Sequence, residues 1–365
     1  MSTWPTWLPL RDDLRSLSPY GAPQIKDVTL LNTNENPYSL PQEVQEKIVE
    51  EIEKVAANLN RYPDRDATRL RAKLAEYVNT GQGSTFTGEN IWAANGSNEI
   101  LQTIFLACGG AGRIAVGFTP SYSVHPIIAK ITGTEWIAGA RDKDFRIHLE
   151  EAMAQIRTHK PSLVFLTTPN NPSGTSTSIE EIEELARVTS EVGALFIVDE
   201  AYIEFSTVPS ASSLINTYPH VISSRTMSKA FAFAGVRLGY LVAHPSVIDA
   251  ALVTRLPYHL SALTQAAAEV ALDHSNLMQS GIHELLSGRE TLERGISQVG
   301  WRALDSSANF LLFTGFSKSS HEVWQEFLSR GILIRDIGIE GFLRVTVGTP
   351  SENERFLASL REIAQ

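Results

Sequence analysis

The chain has 365 residues, 43% of them hydrophobic, and a formal net charge of −10 at pH 7. That length points to two domains, and that apolar fraction is enough for a sizeable core. The acidic balance argues against nucleic acid and anionic membranes as partners, while leaving room for a local basic pocket.

The opening residues 1–10 hold Trp4, Trp7, Pro5 and Pro9, with neither a basic n-region nor an apolar h-region, so no signal peptide is expected. Cys108 is the only cysteine. No disulfide framework is therefore expected, which suits a reducing, cytoplasmic setting. Apolar runs are short throughout, and no transmembrane helix, internal repeat or low-complexity segment is read.

Residues 11–40 include S-P-Y-G-A-P and L-L-N-T-N-E-N-P-Y, dense enough in Asx and proline to mean turns. The favoured reading is an arm lying on the surface. The alternative is a loop over a pocket, with Tyr20 and Asn34 presenting polar tips. From Pro41 the pattern turns helical. Val44, Ile48, Ile52 and Val55 recur at helical spacing, and Asp66 opens a second amphipathic stretch through Leu70, Leu74 and Val78. Between them, N-R-Y-P-D puts Tyr62 in a connecting loop.

Strands are then predicted at 91–94, 114–118, 135–138, 163–167, 195–198, 221–223 and 238–243. They alternate with helices that include 98–107, 149–157 and 179–191. Several strands are near-continuous apolar runs, as in a parallel sheet covered on both faces. The alternation means an α/β layer architecture. Ligands in such sheets bind beyond the carboxyl ends of the strands, so the residues after each strand are the candidates.

After 91–94, N-G-S-N-E opens a helix. Ser97 reads as its N-cap, either as a cap alone or with the free N–H groups of Ser97 and Asn98 binding a phosphate. After 114–118 comes T-P-S-Y, where Tyr122 is either packing or an aromatic platform for a flat ring. After 163–167, T-P-N-N-P-S-G has the residues of a turn, and Asn170 and Asn171 offer amides to the cleft. After 195–198 comes D-E-A-Y. Asp199 ends an unbroken apolar run and so is expected to be buried, which is costly without a cationic or hydrogen-bonded partner. A protonated pyridine nitrogen would be such a partner, and the ion pair would keep the ring an electron sink. Tyr202 can reach the same ring.

The stretch 223–240, S-S-R-T-M-S-K-A-F-A-F-A-G-V-R-L-G-Y, centres on Lys229. A strand over 220–223 is expected to end just before the polar residues. A lone lysine at a strand end is more often a solvated charge. Here the apolar segment 231–234 would desolvate the amine, lower its pKa and free it as a nucleophile. Ser228 and Arg237 would give a nearby anion a hydroxyl and a fixed cation. A nucleophilic lysine beside a phosphate clamp is what a pyridoxal phosphate (PLP) site needs. The competitors are weaker. Gly109, Gly110 and Gly112 precede a strand, which is wrong for a dinucleotide fingerprint. No G-x-S-x-G elbow occurs, and the histidines lack metal-ligand spacing, so no metal is expected.

Beyond about residue 260 the pattern changes. A long helical stretch at 260–273 is followed by another to 299. Strands are predicted at 309–313, 332–335 and 343–347, with helices at 321–329 and 352–363. Arg335 and Arg344 are either surface charges on an edge strand or anion-recognition groups. The expected division is an N-terminal arm, 1–40, packing with the small domain; a large domain, 41–259; and a linker helix with a small α+β domain, 260–365.

As a set, N-G-S-N-E, S-Y, T-P-N-N-P-S-G, D-E-A-Y and S-K with Arg237 downstream resemble the signature series of fold-type I PLP-dependent aminotransferases. L-N-T-N-E-N-P-Y, N-R-Y-P-D and I-L-I-R-D…L-R-V-T-V-G-T-P-S-E-N narrow the likeness to the histidinol-phosphate aminotransferase branch. The likeness runs from about Tyr20 to the C-terminus. It departs at Asn98, where the family often has Asp, and at Met227, where it has a bulkier aromatic or Leu.

The resemblance implies a large domain with a mostly parallel central sheet flanked by helices, plus a small α+β domain. It implies a ping-pong transaminase of histidine biosynthesis, converting L-histidinol phosphate and 2-oxoglutarate to imidazole acetol phosphate and L-glutamate. It makes Lys229 the covalent attachment point of PLP and a proton shuttle, Asp199 the partner of the pyridine nitrogen, and Asn171 and Tyr202 partners of the phenolic oxygen. Tyr122 would stack on the ring. Ser97, Asn98, Thr226, Ser228 and Arg237 would hold the cofactor, chiefly at its phosphate. Tyr62 would reach the phosphate of the neighbouring subunit's cofactor in a homodimer. Arg344 matches the family's carboxylate-binding arginine, and Arg335, Tyr20 and Asn34 would complete the substrate site. The alternatives are an aromatic amino acid aminotransferase, a PLP-dependent decarboxylase of a phosphorylated amino acid, and a non-enzymatic PLP-sensing regulator. The last usually carries a further DNA-binding domain, which is not expected with the catalytic fold under way at residue 41.

Overall fold

Period-two burial builds the main sheet. In Leu163–Thr167 and Leu195–Asp199 alternate residues enter opposite faces: Val164, Leu166, Phe196 and Val198 pack on one side, Leu163, Phe165 and Ile197 on the other. The structure, a computed structural model, describes residues 4–80 and 84–365. Residues 1–3, part of the stretch read for a signal peptide, lie outside the described residues.

The seven-stranded sheet runs in the order Ile91–Ala94, Gly239–Val242, Val221–Thr226, Leu195–Asp199, Leu163–Thr167, Ile114–Thr119, Glu135–Ala140. Gly239–Val242 is antiparallel to both of its neighbours, and the remaining pairings are parallel. All strands but that one therefore end at the same edge. Helices Thr68–Asn79, Leu149–His159 and Ile179–Glu191 cover one face, and Ser97–Cys108, Val124–Thr132 and Pro245–Thr254 the other.

Residues Arg335–Asp336, Leu343–Thr346, Phe310–Thr314 and Arg302–Ala303 form an antiparallel four-stranded sheet. Its core gathers Phe313, Trp301, Phe327 and Phe356, with Phe327 and Phe356 stacked at 5.0 Å. The helices Ser275–Gln298, Ser320–Ser329 and Pro350–Ile363 accompany it. Among the described residues no helix is long and apolar enough to cross a membrane.

The structure corrects several expectations. The stretch 11–40 does not simply lie on the surface: Thr29–Leu30 pairs in parallel with Ile332–Leu333, and Leu31, Asn32 and Asn34 are buried. The strand expected at 332–335 is two strands in two sheets, Ile332–Leu333 and Arg335–Asp336. Between them the Ile334 carbonyl leaves the ladders and accepts from Trp324 Nε1 at 2.8 Å. The strand expected at 221–223 continues to Thr226.

Ser97 is not the N-cap of its helix. Gly96 is, at φ 78, a conformation that favours glycine, and a Cβ there would push the tip of Arg237 aside. Helices Val124–Thr132 and Pro245–Thr254 were not foreseen. Each has a proline in its first turn, which looks like loop punctuation in sequence but is harmless where N–H groups lack helical partners.

Candidate active site

At the carboxyl edge of the main sheet, facing Leu343–Thr346, lies a pocket of ≈ 390 Å³. Lys229 lies just beyond the end of Val221–Thr226, over the buried Ala230, Phe231 and Phe233. Its Nζ donates to the Thr33 carbonyl at 2.9 Å. Burial, reinforced by the Arg344 and Arg237 cations against a weaker pull from Glu35, lowers the amine to about 8.

The anion cradle forms where two strands end. Helix Ser97–Cys108 starts without a side-chain cap, so its first N–H groups are open. Gly239 lets the chains close up, since a Cβ there would sit 2.3 Å from the Ser97 nitrogen. Arg237 holds its guanidinium with Nη1 donating to Ser228 Oγ at 3.3 Å and to the Ala234 carbonyl at 3.1 Å. The Ser228 N–H donates in turn to Thr226 Oγ1 at 3.1 Å. Ser97, Asn98, Thr226, Ser228 and Arg237 all line the pocket.

Asp199 ends its strand 2% exposed. Its Oδ2 lies 3.1 Å from His125 Nε2, while its Oδ1 is buried without a partner among the described residues. Tyr122 stands edge-on to the His125 ring and donates to Asn98 Oδ1 at 3.1 Å. The side chain of Asn98 thus steadies Tyr122. Tyr202 is buried, which pushes its phenol above the usual tyrosine range, so it keeps its proton. Its oxygen accepts from Asn34 Nδ2 at 3.0 Å and from Asn171 Nδ2 at 3.5 Å.

Arg344 is not on an edge strand: Leu343–Thr346 has a neighbour on each side. It is 7% exposed and lies over the Phe310 ring, 5.1 Å from the centroid. Nη1 donates to Asn171 Oδ1 at 2.5 Å and Nη2 to the Asn32 carbonyl at 2.8 Å, leaving Nε without a partner among the described residues. Burial lowers it only to about 10, so it stays cationic at neutral pH. Arg335 is its cross-strand neighbour, half-buried at the pocket. Tyr20 lies exposed at the rim. Asn34 also lines the pocket, but its amide is committed to Tyr202 and to Thr346. Two expected residues lie outside the pocket. Asn170 is buried, and its amide does not reach the cleft but donates to the Pro120 carbonyl at 3.2 Å and to Ser173 Oγ at 2.8 Å. Tyr62 is the other. It is 79% exposed and stacks on Tyr258 at 4.4 Å.

The profile of the aminotransferase class I and II family matches residues 26–360. The chain belongs to that family. Among similar proteins, the histidinol-phosphate aminotransferase of Corynebacterium diphtheriae is 50% identical, over 98% of this chain and 97% of that protein. Those of Corynebacterium glutamicum strain R and Mycolicibacterium smegmatis are 51% and 49% identical, over 98% of this chain and 96% and 94% of theirs. The solved histidinol-phosphate aminotransferase of Sinorhizobium meliloti, in complex with pyridoxal-5'-phosphate, superposes with a TM-score of 0.86 at 24% identity, covering 98% of this chain and 97% of that one. At that identity it shows the shared fold.

The site residue that sequence reasoning missed is His125. Its sequence signal was tested only against metal-ligand spacing, and the helix that carries it, Val124–Thr132, has no place among the expected elements. The signal that could have found it is its place three residues after Tyr122, beyond the same strand end.

With a pKa of about 8, about a tenth of the Lys229 amine is neutral at pH 7, against about one part in three thousand for an ordinary lysine at 10.5. Competitive labelling with trace acetic anhydride should show Lys229 reactivity levelling off just above pH 8, while surface lysines keep gaining toward pH 10.5. A Lys229 profile that follows the surface lysines contradicts the desolvated amine.

Proposed function

We propose that the chain moves the amino group of L-histidinol phosphate to 2-oxoglutarate on pyridoxal phosphate, giving imidazole acetol phosphate and L-glutamate, a step of histidine biosynthesis. The observation that carries this reading is a lysine between two arginine sites held by different sheets. Arg237 belongs to the main sheet's cradle and Arg344 to the smaller sheet.

The residues fit the cofactor. The orphaned Asp199 Oδ1 matches a pyridinium N–H, since a buried carboxylate oxygen wants a cationic donor. The open helix start with Arg237 and Ser228 matches a phosphate. Tyr202 retains its proton and can donate to the phenolic oxygen, beside Asn171. Tyr122 supplies a ring face. When bound, the cofactor supplies an electron sink for the reacting carbon.

The chain does the rest. Lys229 would hold the cofactor through its amine, and the same amine is placed to take the proton from the substrate's carbon and return it. Asp199, steadied by His125, would keep the pyridine nitrogen protonated. Arg344 receives the anionic end of either substrate, because its planar fork suits both carboxylate and phosphate. Arg335 adds the second charge that a phosphate dianion wants, and Tyr20 closes the rim.

We assign cofactor binding to residues 41–259 and the smaller domain to 260–365 joined by the arm 1–40. The pairing of Thr29–Leu30 with Ile332–Leu333 supports the arm's assignment. We further propose a cytoplasmic homodimer. The exposed Tyr62–Tyr258 stack, with Leu256 and Val253 also exposed, offers an apolar face through which Tyr62 would reach the partner's cofactor phosphate. The single cysteine, Cys108, is free, which suits the cytoplasm.

Losing one partner of a desolvated charge pair costs on the order of 2–5 kcal/mol, so effects above roughly tenfold are expected. In single-turnover spectroscopy Arg344→Ala should weaken both half-reactions. Arg335→Ala should weaken the one with histidinol phosphate more than the one with glutamate. Wild-type protein that turns over phenylalanine faster than histidinol phosphate would replace this reading with an aromatic aminotransferase. For the dimer, mixing Lys229→Ala with Tyr62→Phe should restore activity that neither has alone. A fully active monomer in sedimentation contradicts the shared site.

A further inference from the structure

Asn34 sits where the arm, strand Leu343–Thr346 and the pocket meet, 1% exposed and in the left-handed region at φ 56. Its hydrogen bonds have only one consistent direction. The Asn34 backbone N–H donates to Thr346 Oγ1 at 3.0 Å. A backbone N–H can only donate, so the threonine oxygen is the acceptor there, and its own proton must go elsewhere. It goes to Asn34 Oδ1 at 3.1 Å.

That bond decides which way the side-chain amide faces. Turned over, the amide would give Thr346 Oγ1 a second donor and leave its hydroxyl proton with no acceptor among the described residues. With the carbonyl oxygen on Thr346, the NH₂ group faces Tyr202 and donates to its hydroxyl oxygen at 3.0 Å. The Asn34 backbone carbonyl accepts from Asn309 Nδ2 at 3.1 Å, which pins the residue from behind. Tyr202 therefore receives donors from Asn34 and Asn171, and among the described residues it donates to none. Its single proton is left to point into the pocket.

We propose that Asn34 and Thr346 are positioning residues that make Tyr202 an obligate donor to the cofactor's phenolic oxygen, and thereby set the pH at which the lysine-bound cofactor loses its proton. This rests on the functional reading above. The direction of the effect follows from charge. A donor at the phenolic oxygen takes up negative charge that would otherwise hold the proton on the neighbouring nitrogen. With the donor in place the proton leaves at lower pH; without it the midpoint rises. Thr346 shares its strand with Arg344. The group that anchors the substrate's anion and the group that directs Tyr202 are thus carried by one element.

The test is a pH titration of the visible absorbance of the PLP-loaded enzyme without substrate, in a double-mutant cycle. Asn34→Asp puts a pure acceptor beside Tyr202, so the tyrosine proton turns away from the cofactor. The midpoint should rise by about one pH unit. Asn34→Asp also adds a charge, so the cycle is completed with Tyr202→Phe, which has no proton to redirect. On that background Asn34→Asp should add little. Thr346→Val frees the amide to turn over and should raise the midpoint part of the way, while Thr346→Ser should leave it at the wild-type value.

An unchanged midpoint in Asn34→Asp overturns the proposal, as does an equal rise with and without the Tyr202 hydroxyl, which is plain charge repulsion. Should Asn34→Asp fail to fold, the threonine pair decides. Equal midpoints for Thr346→Val and Thr346→Ser contradict the relay. A wild-type protein that gains no cofactor band with PLP overturns the cofactor assignment and the relay with it, a result distinct from a band whose midpoint ignores Asn34.

Discussion

The site depends on holding the Lys229 amine out of water among cations. Among the described residues no carboxylate hydrogen-bonds to it; it donates to a backbone carbonyl instead, and burial with the Arg344 and Arg237 cations outweighs the pull of Glu35. An ammonium so placed gives up its proton more readily than it would in solvent. The main sheet makes the placement possible. Its strands, but for Gly239–Val242, end at one edge, so Lys229, Asp199, Asn171, Tyr122 and the helix start at Ser97 arrive together from separate strands.

Charge is distributed against the composition. A chain with a net charge of −10 lines its pocket with Arg237, Arg335 and Arg344, and leaves Asp199 as the buried carboxylate among them. The Asp199 carboxylate is steadied by His125 and not consumed by an arginine, which keeps one oxygen available for a cationic ring nitrogen. The next residue, Glu200, is spent differently. It accepts from Ser210 Oγ, the Ala211 N–H, Ser223 Oγ and Arg225 Nε, tying the ends of two neighbouring strands together below the site. Adjacent carboxylates in D-E-A-Y thus divide into one that works in the pocket and one that holds the frame beneath it.

The strand ends of the main sheet were legible because apolar runs closed by polar residues are a local signal, and the chemistry sits where those runs stop. Four elements were hidden for separate reasons. His125 stands on a helix whose Pro126 looks like a turn, and nothing local says that its ring meets Asp199. The arm over 11–40 has turn composition, and its burial depends on pairing with residues more than three hundred positions away, as in Thr29 with Ile332. Gly96, not Ser97, is the cap, because the chain enters the helix through a left-handed φ of 78 that a preference for serine caps does not anticipate. Asn34 read as a polar tip for substrate, yet its amide is bound to Tyr202 and Thr346. Tyr62 was correctly placed in a loop, but its use requires a second chain.

The most direct measurement is reductive trapping. Purified protein loaded with PLP and treated with borohydride should carry the reduced cofactor on the peptide that contains Lys229, in a stoichiometry of about one per chain. Label on another lysine, or none in protein that binds PLP, would contradict the account.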